Sequence, residues 1–392
     1  MTTAIANIEA AKQRARNAVE GIADELVRIS GEIHSHPELA FKEHHAVGQL
    51  VPFVKSHGFD VRTGVYGMET AFRGEWGHGP VTIAVCAEYD ALPEIGHACG
   101  HNLIATAGVG AAVALIEAID PADARVVILG TPAEEGGGGK IRMINGGCFT
   151  DVDVAMMAHP GPVDVVYYLW QGNASVAVEY IGRAAHQGAS PERGINALDA
   201  IITAYNAMAQ LRQHIRRDAR LAGIITHGGD AVNIVPERTA GKFSVRAVSM
   251  SYLAELKARL QHCLEAGALA TGCELKATWS EGGYEPFRHN RPMAEAYISN
   301  GAVFSKTFLG RSDASGASTD MANVSQVVPA IHPVFGIGTR AGNHTRDFTA
   351  AAVTDAAHAA MIEAAKMLAM TGVDLALDPD LVRRAKADFA ER

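Results

Sequence analysis

Three short apolar runs, each followed at once by polar side chains, form the most regular pattern along the chain. They cover residues 81–85, 126–129 and 152–157. Runs of this length that are rich in valine, isoleucine and leucine are typical of buried strands. Segments of helical length separate or follow them, and residues 103–119 have a face of small side chains suited to close packing on a sheet. The alternation predicts an α/β domain with a largely parallel sheet covered on both faces.

The pattern changes near Gln171. From there the chain is predicted to form strand 174–181, helix 195–215, strand–turn–strand 223–248, helix 251–268 and strand 274–279. Two helices on one antiparallel sheet make an α+β unit of roughly 110 residues, a plausible size for a separate domain. The α/β pattern resumes after residue 284. We therefore predict one domain from residues 1–172 and 284–392, and a smaller domain inserted at 173–283.

Ionisable side chains are concentrated in the loops that follow the three apolar runs. They are Glu88, Asp90, His97, Cys99 and His101 after the first run, Glu134 and Glu135 after the second, and His159 after the third. In an open α/β sheet, ligands bind outside the carboxyl ends of the strands. Carboxylates, imidazoles and a thiol at one edge are the groups that a transition-metal site requires.

Composition narrows the classes of function. A length of 392 residues accommodates two domains, and 48% hydrophobic residues can fill their cores. The formal charge of −9 and the pI near 6.0 argue against a nucleic-acid or anionic-membrane surface. No apolar run has transmembrane length. Five cysteines without tight spacing favour reduced thiols over a disulfide framework, so a cytoplasmic location is expected.

These motifs, taken together and in their order, resemble the M20 family of metallopeptidases and amidohydrolases. The similarity is stronger to the branch of aminoacylase-1-like-2 proteins, aminobenzoyl-glutamate hydrolases and plant auxin-conjugate hydrolases. The matching segments are residues 36–39, 88–93, 97–102, 132–136, 157–159, 182–186, 233–236, 318–321 and 343–348. Glu88 and Asn102 stand where many M20 branches have aspartate. These departures match the aminoacylase-1-like-2 type and do not indicate a loss of function. The resemblance implies a catalytic α/β domain with an inserted lid or dimerisation domain, in agreement with the pattern above.

The resemblance also implies a set of metal ligands, namely Cys99, His101, Glu135, His159 and His344. Two metal ions that share a bridging ligand need about five protein groups and a water molecule, and a cysteine thiolate can bridge because metal binding lowers its pKa. The expected cofactor is therefore a pair of divalent ions. Manganese, zinc, cobalt and nickel are all compatible with a mixed nitrogen, oxygen and sulfur set.

Catalytic roles follow from the same resemblance. Glu134 is the expected general base, which takes a proton from the attacking water and returns it to the leaving amine; a solvated pair of loop acids is the alternative. Asp90 is expected to orient His101 rather than to bind metal. His186, in the inserted domain, is expected to polarise the scissile carbonyl. It is expected to act within its own subunit or across a dimer. The alternative is that His186 is an ordinary residue of a glycine-rich turn without a catalytic role.

The substrate and assembly are predicted in the same way. Asn233, on a strand of the inserted domain, resembles a substrate-binding amide, and Arg246 is suited to a substrate carboxylate, although a surface arginine is the alternative. We predict a metal-dependent amidohydrolase for small N-acyl or aminoacyl amino acids. The alternatives are a dipeptidase, including one for β-alanyl or side-chain-linked dipeptides, and a catalytically silent binding protein of the same fold. A homodimer through the inserted domain is expected, with strand 174–181 at the edge of its sheet.

Overall fold

The computed structural model describes residues 2–280, 283–310 and 316–391. Its α-helices, in chain order, are α1 (Thr2–Gly21), α2 (Ala23–Ser35), α3 (His44–Ser56), α4 (His101–Ile116), α5 (Gly139–Asn145), α6 (Ala197–Leu211), α7 (Met250–Thr271), α8 (Arg291–Gly301), α9 (Met321–Val327), α10 (Arg346–Ala351), α11 (Asp355–Leu377) and α12 (Pro379–Ala390). Its strands are β1 (Asp60–Thr63), β2 (Phe72–Gly77), β3 (Val81–Glu88), β4 (Ala124–Thr131), β5 (Val154–Met156), β6 (His159–Gly161), β7 (Gly172–Ile181), β8 (Arg220–His227), β9 (Arg238–Ala247), β10 (Glu274–Trp279), β11 (Ala330–Ile331) and β12 (Val334–Gly336).

The described residues fold into two compact units. The first takes those within Met1–Tyr168, Arg288–Ser312 and Asn323–Arg392, and the second takes those within Leu169–Phe287 and Asp313–Ala322. The second unit therefore includes residues 316–322 as well as most of the segment in which an inserted domain was expected.

The first unit contains a six-stranded sheet in the order β1–β2–β4–β3–β5–β11. Strands β4, β3, β5 and β11 run parallel to one another, whereas β1 and β2 are antiparallel to their neighbours. All eight residues of β3 are buried, which explains why this strand is a nearly continuous apolar run rather than an alternating one. The predicted largely parallel sheet is thus confirmed. The antiparallel strands β1 and β2 have no long apolar run and were not predicted.

Helix α4 packs on β3 and is buried along its whole length. Its small residues permit this close approach. A Cβ atom added at Gly108 would lie 2.8 Å from the carbonyl oxygen of Cys86. The helix begins at His101, two residues before the start predicted from the small-residue pattern. Its amino terminus, which carries His101, is therefore held close to the carboxyl end of β3.

The second unit is an antiparallel four-stranded sheet in the order β10–β7–β9–β8, with α6 and α7 packed against it. Buried residues alternate with exposed or half-buried ones along β7, as expected for a sheet covered on one face. However, β7 pairs with β10 on one side and with β9 on the other. The prediction that strand 174–181 lies at an edge is wrong, because this alternation is the same in interior and edge strands.

The structure bears on two features considered from composition, membrane-spanning helices and disulfide bonds. Within residues 2–280, 283–310 and 316–391, no helix combines the length and apolar character that a bilayer crossing demands. All five cysteines lie in the described ranges, and each keeps its thiol outside any disulfide.

Candidate metal centre

The five expected metal ligands lie together in the first unit. Ligand atoms of Cys99, His101 and His159 are within 4.8 Å of one another, and so are those of Cys99, Glu135 and His344. The Cys99 Sγ atom is 3.4 Å from His159 Nε2, and His344 Nε2 is 3.2 Å from Glu135 Oε1. Four of them meet because β4, β3 and β5 are parallel neighbours whose carboxyl ends share one edge, and His344 joins them from the segment before α10. The thiol of Cys99 is common to the two groups.

The backbone around the ligands is held in conformations that bring the loops close. Gly100 has a φ of 77°, and a Cβ atom there would lie 2.6 Å from Pro160 Cγ, so only glycine fits between the Cys99 segment and β6. His344 also adopts the left-handed region, with a φ of 65°, and its N–H donates to the carbonyl of Ala98 at 2.8 Å. Left-handed non-glycine residues are characteristic of functional sites.

His101 presents one nitrogen to the cluster. Its Nδ1 is hydrogen-bonded to Asp90 Oδ1 at 3.0 Å, as the sequence analysis expected. Its Nε2 is buried and has no hydrogen-bond partner among the described residues. Its neighbours Glu88 Oε2 and Glu134 Oε2 are 3.6 and 3.9 Å away, beyond hydrogen-bonding distance. A buried imidazole nitrogen without a partner, facing carboxylates and a thiol, fits a divalent metal ion.

The electrostatics of the cluster point to a cation site. Burial disfavours a charged His101, yet its hydrogen bond to Asp90 raises its pKa well above the ordinary value. Burial and the nearby Glu135 carboxylate raise the pKa of the Cys99 thiol. Burial and the charge of His101 lower the pKa of His159 to about 3, so this imidazole is neutral, as a metal ligand must be. The acids thus attract positive charge to the space between the ligands.

Asp90 contacts two members of the set. It is almost fully buried, and while Oδ1 bonds His101, Oδ2 accepts the backbone N–H of Glu135 at 2.9 Å. Burial alone would raise the pKa of Asp90, but the hydrogen bond and charge of His101 lower it. One ionised carboxylate therefore orients the first side chain of α4 and the backbone of the loop after β4.

Sequence reasoning missed a buried ion pair beside the ligands. Lys140 Nζ bonds Glu88 Oε1, and both side chains are inaccessible to solvent. Lys140 lies in the first turn of α5, directly after the glycines of 136–139. A lysine that ends a glycine run next to two acids was the available signal, but nothing local shows that it turns inward. The pair gives Glu88 a cationic partner and balances part of the negative charge near His101.

His186 and Asn233 are neighbours in the second unit. His186 is exposed in a turn after β7, and its Nδ1 accepts the N–H of Gly188 at 3.2 Å. The carbonyl of Asn233 accepts the N–H of Gln187 at 3.0 Å. Asn233 lies in the turn between β8 and β9, not on the predicted strand. The reason is that β8 ends at His227, before a glycine pair that interrupts regular pairing.

Arg246 is half-buried on β9 of the second unit. Its Nη1 donates to the carbonyl of Gly316 and lies 3.4 Å from Ser318 Oγ. The guanidinium therefore holds β9 to the segment around residue 316, in addition to any contact that it makes with a substrate.

The comparison with known proteins decides the family. The sequence profile of peptidase family M20/M25/M40 matches residues 84–369, which contain all five expected ligands. The chain belongs to this family. The Xaa-Arg dipeptidase of Mus musculus is 40% identical over 99% of this chain and 94% of its own length. A p-aminobenzoyl-glutamate hydrolase polypeptide of Escherichia coli is 28% identical over 96% of this chain and 94% of its own length.

Solved structures agree on the fold. A dinuclear metal-binding peptidase of the M20 family from Bacillus subtilis superposes with a TM-score of 0.72 at 17% identity, covering 91% of this chain and 99% of that chain. The family profile and the sequence relatives confirm the resemblance inferred from the motifs and the expected class of enzyme. The protein is a metal-dependent amidohydrolase that acts on an amide or peptide substrate.

Proposed function

We propose that this enzyme is a dipeptidase that releases a basic carboxyl-terminal amino acid. The supporting observation is its similarity to Xaa-Arg dipeptidases of Mus musculus and Homo sapiens, which are 40% and 38% identical and are matched over 94% and 92% of their lengths. The N-acetyl-L-cysteine deacetylase of Bacillus subtilis is 28% identical and is matched over only 68% of its length. A formal charge of −9 also favours the approach of a cationic substrate.

The proposed cofactor is a pair of divalent ions held by the five clustered residues. This arrangement is supported by two ligand groups that share Cys99. It is also supported by His101 Nε2, which is buried and has no hydrogen-bond partner among the described residues. When bound, such ions supply Lewis acidity to the scissile amide and lower the pKa of a water molecule. Manganese, zinc, cobalt and nickel all suit this ligand set.

The chain's own acids then handle the protons. Glu134 is 5% exposed and directly precedes the ligand Glu135. Its carboxylate accepts a proton from the attacking water and delivers it to the nitrogen of the leaving amine. Asp90 keeps His101 and Glu135 in place. His186 polarises the substrate carbonyl, from its own subunit or from a partner, while Asn233 and Arg246 bind the rest of the substrate.

A panel of substrates tests the specificity. We expect kcat/KM for Xaa-Arg and Xaa-Lys dipeptides to exceed that for N-acetyl amino acids by roughly 10²-fold or more, because a site built for a polar group discriminates strongly against ligands that lack it. The measurement is release of free amino acid by the metal-loaded enzyme, with Xaa-Leu and β-alanyl dipeptides as matched members of the panel. Faster hydrolysis of N-acetyl or N-aroyl amino acids would replace the dipeptidase proposal by an acyl-amino-acid hydrolase.

We further propose a homodimer through the second unit, and edge strand β8 is the surface that supports it. This strand pairs only with β9 among the described residues, and its Ile224 and Ile225 are 61% and 40% exposed. An apolar edge strand is a template for pairing with a second copy across a two-fold axis.

Sedimentation velocity tests the dimer. Ile224→Lys is expected to convert the dimer into a monomer, because a charge on an edge strand opposes pairing. Leu269→Lys, at an 88% exposed position on α7, is the matched control and should remain dimeric. A wild-type chain that sediments as a monomer at micromolar concentration contradicts the proposal. If the dimer forms, mixing inactive Glu134→Gln with inactive His186→Ala distinguishes the two modes of His186, since only action across the dimer restores activity.

A further inference from the structure

The residue before the proposed general base has a strained backbone. Ala133 is fully buried and has a φ of 61°. A residue with a Cβ atom is strained in the left-handed region and persists there only where its surroundings enforce it. This backbone conformation sets the direction in which the side chain of the next residue, Glu134, points. The contacts that hold Ala133 are therefore contacts that place the Glu134 carboxylate.

The main contact comes from a carboxylate 90 residues away. The N–H of Ala133 donates to Glu43 Oε1 at 2.9 Å. On its other side, the carbonyl of Ala133 accepts the N–H groups of Gly137 and Gly139 at 3.1 and 3.3 Å. Two residues on, the N–H of Glu135 donates to Asp90. The N–H groups of the residues before and after Glu134 are thus bound by the buried carboxylates of Glu43 and Asp90, and sequence reasoning had not considered Glu43.

Glu43 is organised for this task. It precedes α3, has no solvent exposure, and receives three donors. Oε1 accepts the N–H groups of Phe41 and Ala133, both at 2.9 Å, and Oε2 accepts the hydroxyl of Thr70 at 2.6 Å. Phe41 is itself left-handed, with a φ of 65°. One carboxylate oxygen therefore binds the N–H groups of two strained residues.

The side chain of Phe41 strengthens the link between the two segments. A Cβ atom at Gly137 would lie 2.4 Å from the ring of Phe41, so ring and loop are in close contact. The guanidinium of Arg142, on α5, lies 4.2 Å from the centre of the same ring. The loop after β4 is consequently packed against the segment that Glu43 fixes.

We propose that Glu43 is a positioning residue for catalysis: its carboxylate locks Ala133 in the left-handed conformation and so sets the position of the Glu134 carboxylate. This inference rests on the proposed role of Glu134 as general base. Without the Glu43 carboxylate, Ala133 relaxes towards an ordinary conformation and the proton acceptor moves away from the attacking water. A misplacement of about 1 Å is enough to reduce a rate about 10²-fold.

The test compares variants by kcat, KM and melting temperature at saturating metal. Glu43→Ala is expected to lower kcat roughly 10- to 100-fold with little change in KM. Glu43→Gln, which keeps an oxygen for the Ala133 N–H, should restore kcat to within about threefold of wild type. Addition of Ala133→Gly to Glu43→Ala should recover part of the loss, because glycine adopts the left-handed conformation without strain. If Glu43→Ala does not fold, Glu43→Asp, which retracts the carboxylate by one methylene, takes its place.

Thr70→Val is the matched control. It removes a different donor from the same carboxylate and leaves the Ala133 bond in place, so stability should fall while kcat is retained. An equal loss of kcat in Thr70→Val and Glu43→Ala at equal loss of stability overturns the proposal, as does full kcat in a folded Glu43→Ala. The combination Glu43→Ala with Glu134→Gln separates the two claims. If Glu134→Gln alone is inactive, Glu43→Ala should add little further loss; if Glu134→Gln alone is fully active, the general-base role fails first.

Discussion

The Glu134→Gln variant is expected to keep its fold and its metal ions while kcat falls by about 10²–10⁴-fold. Glutamine has the same shape as glutamate but cannot accept a proton at neutral pH. Glu134 is buried next to Glu135, and its Oε2 lies 3.9 Å from His101 Nε2. The exchange therefore removes the ability to accept a proton and changes the packing little. Because proton transfer occurs in the transition state, KM should change far less than kcat.

Glu69→Gln is the control for this substitution. Its side chain is 83% exposed, and its loss should leave kcat unchanged. The measurement is steady-state kinetics on a dipeptide, together with the metal content of each variant. A metal-loaded Glu134→Gln enzyme with near-normal kcat would refute the assignment of the base.

Metal content is expected to depend on which ligand is removed. Cys99 belongs to both ligand groups, whereas His159 is grouped only with Cys99 and His101. Cys99→Ala should therefore lose most of about two bound ions per chain and essentially all activity, whereas His159→Ala should retain about one. Loss of a single metal ligand is expected to weaken binding more than loss of an outer hydrogen-bonding group, which typically costs 10- to 100-fold in affinity.

Cys86→Ala is the matched control for Cys99→Ala. Cys86 is a buried cysteine on β3 that forms no disulfide with the other four, all of which are described. It belongs to none of the ligand groups found among the described residues. The metal content of Cys86→Ala should therefore equal that of wild type. Equal metal content in Cys99→Ala and Cys86→Ala would show that Cys99 is not a ligand.

The sequence was sufficient to predict the parts of the site that follow from local pattern. The apolar runs of β3, β4 and β5 predicted parallel strands, and the positions of Cys99, Glu135 and His159 soon after them placed these side chains at one edge. The pattern was sufficient because a strand buried on both faces is largely apolar, so that ionisable residues collect at and beyond its carboxyl end, as Glu88 does on β3. His344 was assigned only through the resemblance to the M20 family.

Contacts between distant segments were not predictable in the same way. Glu43 and Ala133 are separated by 90 residues, and no local signal marks an alanine that will be left-handed. Lys140 was missed because a glycine run leaves the direction of the following side chain open. The place of β7 inside its sheet depends on pairing with β10, which the alternation along a single strand does not reveal. Each of these features depends on a tertiary contact and not on the secondary-structure propensity of a local segment.

Elemental analysis of the chain purified without chelator tests the central claim, a metal-dependent hydrolase centred on Cys99, His101, Glu135, His159 and His344. About two divalent ions per chain are expected, lost together with activity on treatment with a chelator and regained together when a divalent ion is restored. A metal-free chain with full hydrolytic activity that is unaffected by chelators would contradict it.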